Sequence, residues 1–386
     1  MTFDQLKRQR SVFYLACLAA FICLMTIKLS YFVPTVMSMG QIYFLVKCLA
    51  LLISCKFIFL DDLSIKAKLL TVTAIIIFYF LAKISQDSNV FYYAILIVGA
   101  FDVDFDKILK TYIFTVVITI LYIIFACWTK IIPEQIVPRA GQFHFLRLSL
   151  GFLTPTDLAA RCFYLLTAYC AWRKLSLIKW EKIGALLFTI LVFSLTNSRL
   201  DLIMMLLLLL IVIKPNLFKQ LLAKLQFQGL AILTALYVFL NVALAYFFNP
   251  HLAWFRVLDH ILSSRLTFGN IALRQHGVSL FGQYVAEHSN GDLVPPTNYF
   301  YVDSSYIRLL VISGIVISLI VTAVIFYLLW RLCQSQSTSL LLFLLLALIS
   351  SAIDQHLVEV SYNIVLLAVF AKVRPDNYNF NSIKIY

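Results

Sequence analysis

The sequence predicts an all-α, polytopic integral membrane protein with about twelve transmembrane helices, and three observations carry that reading. Hydrophobic residues make up 62% of the 386 residues and charged residues only 13%, roughly half the charged share of a soluble domain. Apolar runs long enough to cross ~30 Å of hydrocarbon recur along the whole chain. Between them only two polar segments are long, 131–155 and 249–305.

The first apolar run, 13–33, is too long for a signal-peptide core and has no small-residue cleavage site, so it reads as a retained span. Further spans are expected near 41–60, 68–85, 89–101, 111–130, 156–172, 180–197, 200–213, 229–248, 306–330, 338–353 and 356–372. The 89–101 and 200–213 runs are short, as tilted, broken or re-entrant segments are. The chain thus divides into N-terminal spans (1–130), an outer loop (131–155) and central spans (156–248). A large extracytoplasmic loop (249–305), C-terminal spans (306–373) and a cytoplasmic tail (374–386) follow. Loops of this length among tight hairpins point to function rather than spacing.

Basic residues set the orientation. "KRQR" at 7–10, "SIKAK" at 64–68, "DKILK" at 106–110, "RKLSLIKWEK" at 173–182 and "KPNLFKQLLAK" at 214–224 fall in alternate connections, as do Arg331, Lys372 and Arg374. The positive-inside rule makes these the inner face, with both termini cytoplasmic. Eight arginines then lie on the outer side: Arg139, Arg147, Arg161, Arg199, Arg256, Arg265, Arg274 and Arg308. They oppose the rule, so they need another reason. A guanidinium fork binds phosphate or carboxylate bidentately in partly dry places, which an ammonium does less well; snorkelling to lipid headgroups is the plainer explanation for some of them. The net charge of +13 is no sign of nucleic acid, because much of it is inner-face lysine.

Other chemistries find little support. All six histidines (His144, His251, His260, His276, His288 and His356) fall in outer segments, but no pair has the spacing of a helical zinc site. The eight cysteines lie in or beside spans as small hydrophobes, so no disulfide framework, metal site or cofactor is expected. "DVDFD" at 102–106 matches the Asp-x-Asp of soluble glycosyltransferases, yet it sits beside Lys107 and Lys110 with no βαβ unit, as a solvated turn would. No Gly-rich phosphate loop or serine-hydrolase motif is present.

Four outer segments and one span carry the remaining polar residues. "RLSLGFLTPTDLAAR" (147–161) has Arg147, Gly151, and a Thr/Asp cap around Pro155 that starts a span. "TNSRLD" (196–201) puts Arg199 at a tight hairpin, where Asp201 is expected to hold its fork or merely close the turn. "SSRLTFGNIALRQHGVSLFGQ" (263–283) reads as a helix in which Arg265 precedes Phe268, Ile271 and Ala272 at helical spacing, with glycine ending it. "YVDSSYIRLLVISG" (301–314) carries Asp303, Tyr306 and Arg308 into the next span. In the last span His356, Glu359 and Asn363 fall on one helical face, either as a functional stripe or as a packing ladder.

An Arg-x-x-x-Gly-Phe-x-x-Pro segment, a Ser-Arg turn, a Ser-Ser-Arg helix and an Asp-x-x-Tyr stretch before a glycine-bearing span occur in that order. Over roughly residues 140–365 this resembles the Wzy-type polysaccharide polymerases, which belong with the O-antigen ligases to one superfamily of GT-C-like membrane glycosyltransferases. Thr154-Pro155-Thr156 stands where family members often have His-Pro-Asn. Asp303 and Tyr306 stand where ligases carry a histidine motif, which favours the polymerase of the exopolysaccharide, capsule or O-antigen type.

The resemblance implies that oligosaccharide repeat units on undecaprenyl pyrophosphate are joined at the outer face of the bacterial cytoplasmic membrane, lipid pyrophosphate leaving. Its partners would be that lipid-linked substrate, membrane lipids, and a chain-length regulator and flippase of the same pathway. Arg147, Arg199, Arg274, Tyr306, Arg308 and Asn363 are the candidates for binding pyrophosphate and glycan. Arg265 is the candidate for charge compensation in the transition state, and Asp303, Glu359, His356 and His276 are the candidate bases. Two alternatives stay open: a ligase with the same chemistry and another acceptor, and a transporter of lipids or lipid-linked oligosaccharides. The crowding of polar positions at the outer ends, rather than at mid-membrane, weighs against the transporter.

Overall fold

The computed structural model describes residues 3–139, 142–288 and 299–376. Part of the large outer loop (289–298) and most of the expected tail (377–386) therefore lie outside the described residues. The chain opens with α1 (Phe3–Lys28), α2 (Phe32–Thr35), α3 (Met39–Cys55), α4 (Ile65–Ser85), α5 (Asn89–Gly99) and α6 (Phe105–Trp128). A short antiparallel hairpin, β1 (Ile136–Arg139) and β2 (Gln142–Leu148), precedes α7 (Pro155–Trp172), α8 (Lys179–Thr196), α9 (Arg199–Ile213) and α10 (Pro215–Tyr246). Then come α11 (Ala253–Ile261), α12 (Arg265–Gln275), α13 (Ser305–Arg308), α14 (Gly314–Gln334) and α15 (Thr338–Ser350).

Among the described residues, six helices are long and apolar enough to cross a membrane: Lys7–Lys28, Met39–Leu60, Ile65–Ser85, Phe105–Trp128, Pro215–Tyr246 and Ser305–Gln334. That is half the expected number. The other expected spans are shorter or less uniformly apolar helices, such as α5 with 11 residues and α15 with 13. The expectation of all helices also missed the small hairpin in 131–155, where the sequence alternates Gln142, Phe143, His144 and Phe145 in strand fashion.

The largest departure is the last expected span. Residues 351–363 form a run of turns, and only Ile364–Val369 winds into a short, tight helix. Ser351, Asp354, Ser361 and Asn363 interrupt the apolar run with groups that compete for backbone partners. Ser305 N–H is shared between the Ser351 and Asp354 carbonyls at 2.9 and 3.2 Å, and Ser305 Oγ donates to Asp354 O at 2.5 Å while accepting from Leu357 N–H at 3.2 Å. Asn363 Nδ2 donates to Leu357 O at 2.7 Å. Non-helical backbone at such depth is tolerated only inside protein or along a cavity, and most of this segment is buried. The helical stripe of His356, Glu359 and Asn363 is thus replaced by a folded loop.

Ser305–Gln334 is also broken. Gly314, at φ 85°, interrupts the helix, and a Cβ there would meet Gly282 N at 2.2 Å. The loop at 279–283 fills the gap: Gln283 N–H donates to Ile312 O at 2.9 Å, and Ile315 and Val316 N–H donate to Ser279 and Leu280 O at 3.0 and 3.1 Å. The long loop is thereby stitched into the apolar helix just after the turn that carries Asp303 and Arg308.

Ion pairs gather both terminal regions at one end. Asp102 pairs with Lys7 at 3.0 Å and Lys372 at 2.5 Å, Asp104 with Arg374, and Asp106 with Lys174 at 2.7 Å. The "DVDFD" turn is therefore a structural clasp, each carboxylate already matched by a cation. Lys7 and Lys28 are 21 residues apart on α1, so at 1.5 Å per residue they sit roughly 32 Å from each other. Lys28 marks the opposite end of the molecule.

Candidate functional site

At that opposite end the helices surround a polar cavity of about 410 Å³, within the range of small-molecule sites. The N-terminal half contributes Lys28, Asp87, Asn89 and Tyr93; Lys28 Nζ donates to Tyr43 OH at 2.9 Å, and Tyr43 OH donates to Asn89 Oδ1 at 3.1 Å. The segment before α7 brings Arg147 and Leu153–Asp157. Its helix begins as the sequence indicated: Thr154 caps it by accepting from Asp157 N–H at 3.1 Å, with Pro155 in the first turn.

Arg265 enters from the head of α12. Asp259 caps that helix, accepting from Leu266 and Thr267 N–H at 2.9 and 3.1 Å. The helix packs on the membrane domain through Leu266, Gly269, Ala272 and Leu273, while Phe268 turns to the rings of Tyr299 and Phe300. A Cβ on Gly269 would lie 2.5 Å from the Ile307 Cδ1 and 3.1 Å from the Ala245 Cβ, so glycine lets the helix pack this closely without moving Ile307. Asn270 completes the dock by donating to Ala245 and Tyr246 O at 2.8 and 3.0 Å, the open end of α10.

The charges inside the cavity are paired. Arg265 Nη2 meets Asp303 Oδ2 at 3.1 Å, while its Nε and Nη1 donate to Ile353 O and Ser263 O at 3.3 and 2.9 Å. Arg308 forms a fork with Glu287, two bonds of 2.7 Å, with its guanidinium 5.4 Å from the Tyr301 ring centre. Arg147 Nε donates to Thr196 O at 2.8 Å, which ties β2 to the C-terminus of α8. On the loop that replaces the last span, His356 lies between two carboxylates: Nδ1 to Glu359 Oε2 at 2.7 Å and Nε2 to Asp354 Oδ1 at 3.4 Å. Burial pushes the Asp303 carboxyl up to about 6; the Arg265 guanidinium opposes that shift and Asp354 adds to it. Burial likewise holds Asp354 above the usual carboxylate range.

Six of the residues singled out in the sequence therefore line one cavity: Arg147, Arg265, Asp303, Arg308, His356 and Glu359. Five do not. Arg199 is exposed and outside it, and the expected Arg199–Asp201 clamp is absent: Asp201 is buried, accepts from Ser198 Oγ at 2.5 Å, and lies within electrostatic range of Asp354, His356 and Arg265. The turn offers its carboxylate, not its guanidinium, to the interior, because the short helix start orients Asp201 inward and Arg199 outward. Arg274 and His276 are exposed at the far end of α12, Arg274 lying 6.0 Å from the Tyr246 ring centre. Tyr306 is buried against the bundle, its hydroxyl donating to Leu348 O at 2.6 Å, and Asn363 is buried behind the loop.

Sequence reasoning missed Lys28, Asp87, Asn89, Asp157, Tyr299, Tyr301, Asp354 and Gln355. "DQH" at 354–356 was a usable signal, an Asp-Gln pair directly before the histidine inside an apolar run. The N-terminal residues had none, since only the fold brings them near.

Cations and carboxylates alternate around this cavity: Lys28, Arg147, Arg265 and Arg308 against Asp87, Asp157, Asp303, Asp354 and Glu359. Guanidinium groups held this firmly can receive a phosphate oxygen without reorganising, and the neighbouring carboxylates and His356 can accept a hydroxyl proton. Carboxylates, amides and tyrosine rings are also the groups that grip sugar hydroxyls and faces. Among the described residues, no group of three or more His, Cys, Asp or Glu is disposed to hold a metal ion. No model of a known family, no curated protein and no solved structure matches the chain.

Proposed function

We propose that the protein is a membrane glycosyltransferase that polymerises oligosaccharide repeat units carried on undecaprenyl pyrophosphate, at the outer face of the bacterial cytoplasmic membrane. The observation that carries this reading is the cavity, in which Arg265 and Asp303 form an ion pair beside Arg147, Arg308 and the His356–Glu359 pair. A lipid diphosphate competes with Asp303 for the Arg265 fork, beside the Arg308–Glu287 pair. The displaced Asp303 carboxylate then faces the acceptor. As the acceptor oxygen bonds to the anomeric carbon, its proton passes to Asp303. The bond from that carbon to the diphosphate oxygen breaks, and the lipid diphosphate departs with the electron pair.

The clasp at one end and the cavity at the other suit a chain that crosses the bilayer about twelve times, with short and broken segments among the crossings and both termini in the cytoplasm. The site would then stand at headgroup level, where lipid diphosphates are presented. The test is direct: purified protein in nanodiscs, given lipid-linked repeat units, should produce a ladder of longer glycans. A deletion strain should accumulate single exported repeats. Loss of the exported units themselves would point to a transporter instead, and transfer of finished glycan to another acceptor to a ligase.

A further inference from the structure

Among the described residues Arg161 is the largest fully buried side chain, set in the middle of α7, and it forms no ion pair with a carboxylate. Its Nη1 donates to the carbonyl of Ser361, while its Nε and Nη2 make no close hydrogen bond and have the Tyr112 phenol nearby. The guanidinium carbon lies over the Tyr362 ring, 3.4 Å from its centre. On Tyr362 the imidazole of His356 stacks in turn, with centroids 3.6 Å apart and planes 9° from parallel. Tyr164, three residues along α7, meets both rings edge-on at 5.7 and 6.2 Å. A buried, unpaired guanidinium is expensive, and an apolar side chain of similar size would serve packing better. What an arginine adds here is a carbonyl contact and a ring contact made by one side chain.

We infer that Arg161 is a positioning residue: it holds Ser361 and Tyr362, and through the Tyr362 ring it fixes the plane of His356 and hence the His356–Glu359 hydrogen bond at the wall of the cavity. The loop 351–363 lacks the regular hydrogen bonding that would hold a helix in place, so its geometry depends on such side-chain anchors. Arg161 supplies a carbonyl contact and a stacking surface from a rigid helix. The Tyr362 hydroxyl has no partner, so the ring face and not the phenol does the work. The consequence for turnover rests on the proposed reaction at this cavity; the consequence for His356 does not.

The experiment separates the two. In nanodiscs, with ¹⁵N-labelled histidine and His356→Gln to assign the signal, the wild-type protein should show a downfield, slowly exchanging imidazole proton from the short bond to Glu359. Arg161→Lys keeps the charge but loses the planar stack, and Tyr362→Leu removes the ring; both should abolish that signal. Tyr362→Phe should retain it. Glycan extension should fall about 10²-fold in kcat, with KM unchanged, in the first two variants, the size that a shift of about 1 Å in the wall beside the reacting groups can cost. The inference is overturned if Arg161→Lys and Tyr362→Leu keep the signal while losing only thermal stability. If Arg161→Lys does not reach the membrane, the comparison of Tyr362→Leu with Tyr362→Phe decides alone. Loss of the signal with unchanged extension supports the positioning role and removes His356 from the proposed reaction.

Discussion

Arg265 holds three partners at once, and that constrains what its replacement can mean. Arg265→Ala removes the cation facing Asp303 and frees the Ile353 carbonyl, so glycan extension should fall by about 10²–10³, the usual cost of one preorganised donor. Arg265→Lys preserves the charge but cannot span Asp303, Ile353 and Ser263 together, so kcat should remain well below wild type with normal protein level. Arg274→Ala, on the exposed end of the same helix, should extend glycan normally; a loss as large as that of Arg265→Ala would move the site along the helix. Asp303 adds a pH dependence. Its carboxyl is pushed up to about 6, and a base works only when ionised, so extension should be lost as pH falls through about 6 and be flat above it. An acid limb unmoved by Asp303→Asn, in an enzyme that stays active, would assign the base elsewhere. The residue types gathered in this cavity were legible in the sequence, because arginines beside apolar runs and away from the lysine-rich connections are conspicuous. The inward choice of Asp201 over Arg199 was not, since one residue of helix rotation decides it.

At the scale of elements, helices with ordinary caps were readable and broken elements were not. Thr154-Pro155 announces α7, and the spacing from Arg265 announces α12, because capping and amphipathic period are local properties of the chain. The apolar run 356–372 gives no such sign: hydropathy counts grease, while the loop 351–363 is decided by contacts with Ser305 and Arg161 that lie far away in sequence. The break at Gly314 is of the same kind. Its φ of 85° and the approach of Gly282 leave no room for a side chain. Gly314→Ala should therefore cost about 1–3 kcal/mol for the backbone conformation alone, and more for the clash. The measurement is thermal unfolding in detergent beside Gly184→Ala, where a Cβ meets nothing within 4 Å. Equal melting temperatures for the two variants would mean that the stitched junction is not a fixed feature of the fold.

For the whole molecule the question is which end faces out. Asp102, Asp104 and Asp106 draw Lys7, Lys174, Lys372 and Arg374 to one end, and the cavity opens roughly one α1 length away, about 32 Å, close to the thickness of a bilayer core. The clasped end carries the lysine-rich connections at 64–68, 173–182 and 214–224, as a cytoplasmic face does. The opposite end carries the arginines that oppose the rule and share a cavity with carboxylates, as a site for an anionic, sugar-bearing lipid headgroup requires. Single cysteines in a cysteine-free background test this. Positions 197–198 and 255–285 should react with a membrane-impermeant maleimide in intact cells, and positions 175–180 and 216–226 only after lysis. Lys7→Cys and Lys372→Cys should follow the second group together, because both side chains meet the same Asp102 carboxylate. Labelling of 175–180 from outside would place the cavity in the cytoplasm, where exported lipid-linked repeats do not reach it, and the proposed reaction would fall with the topology.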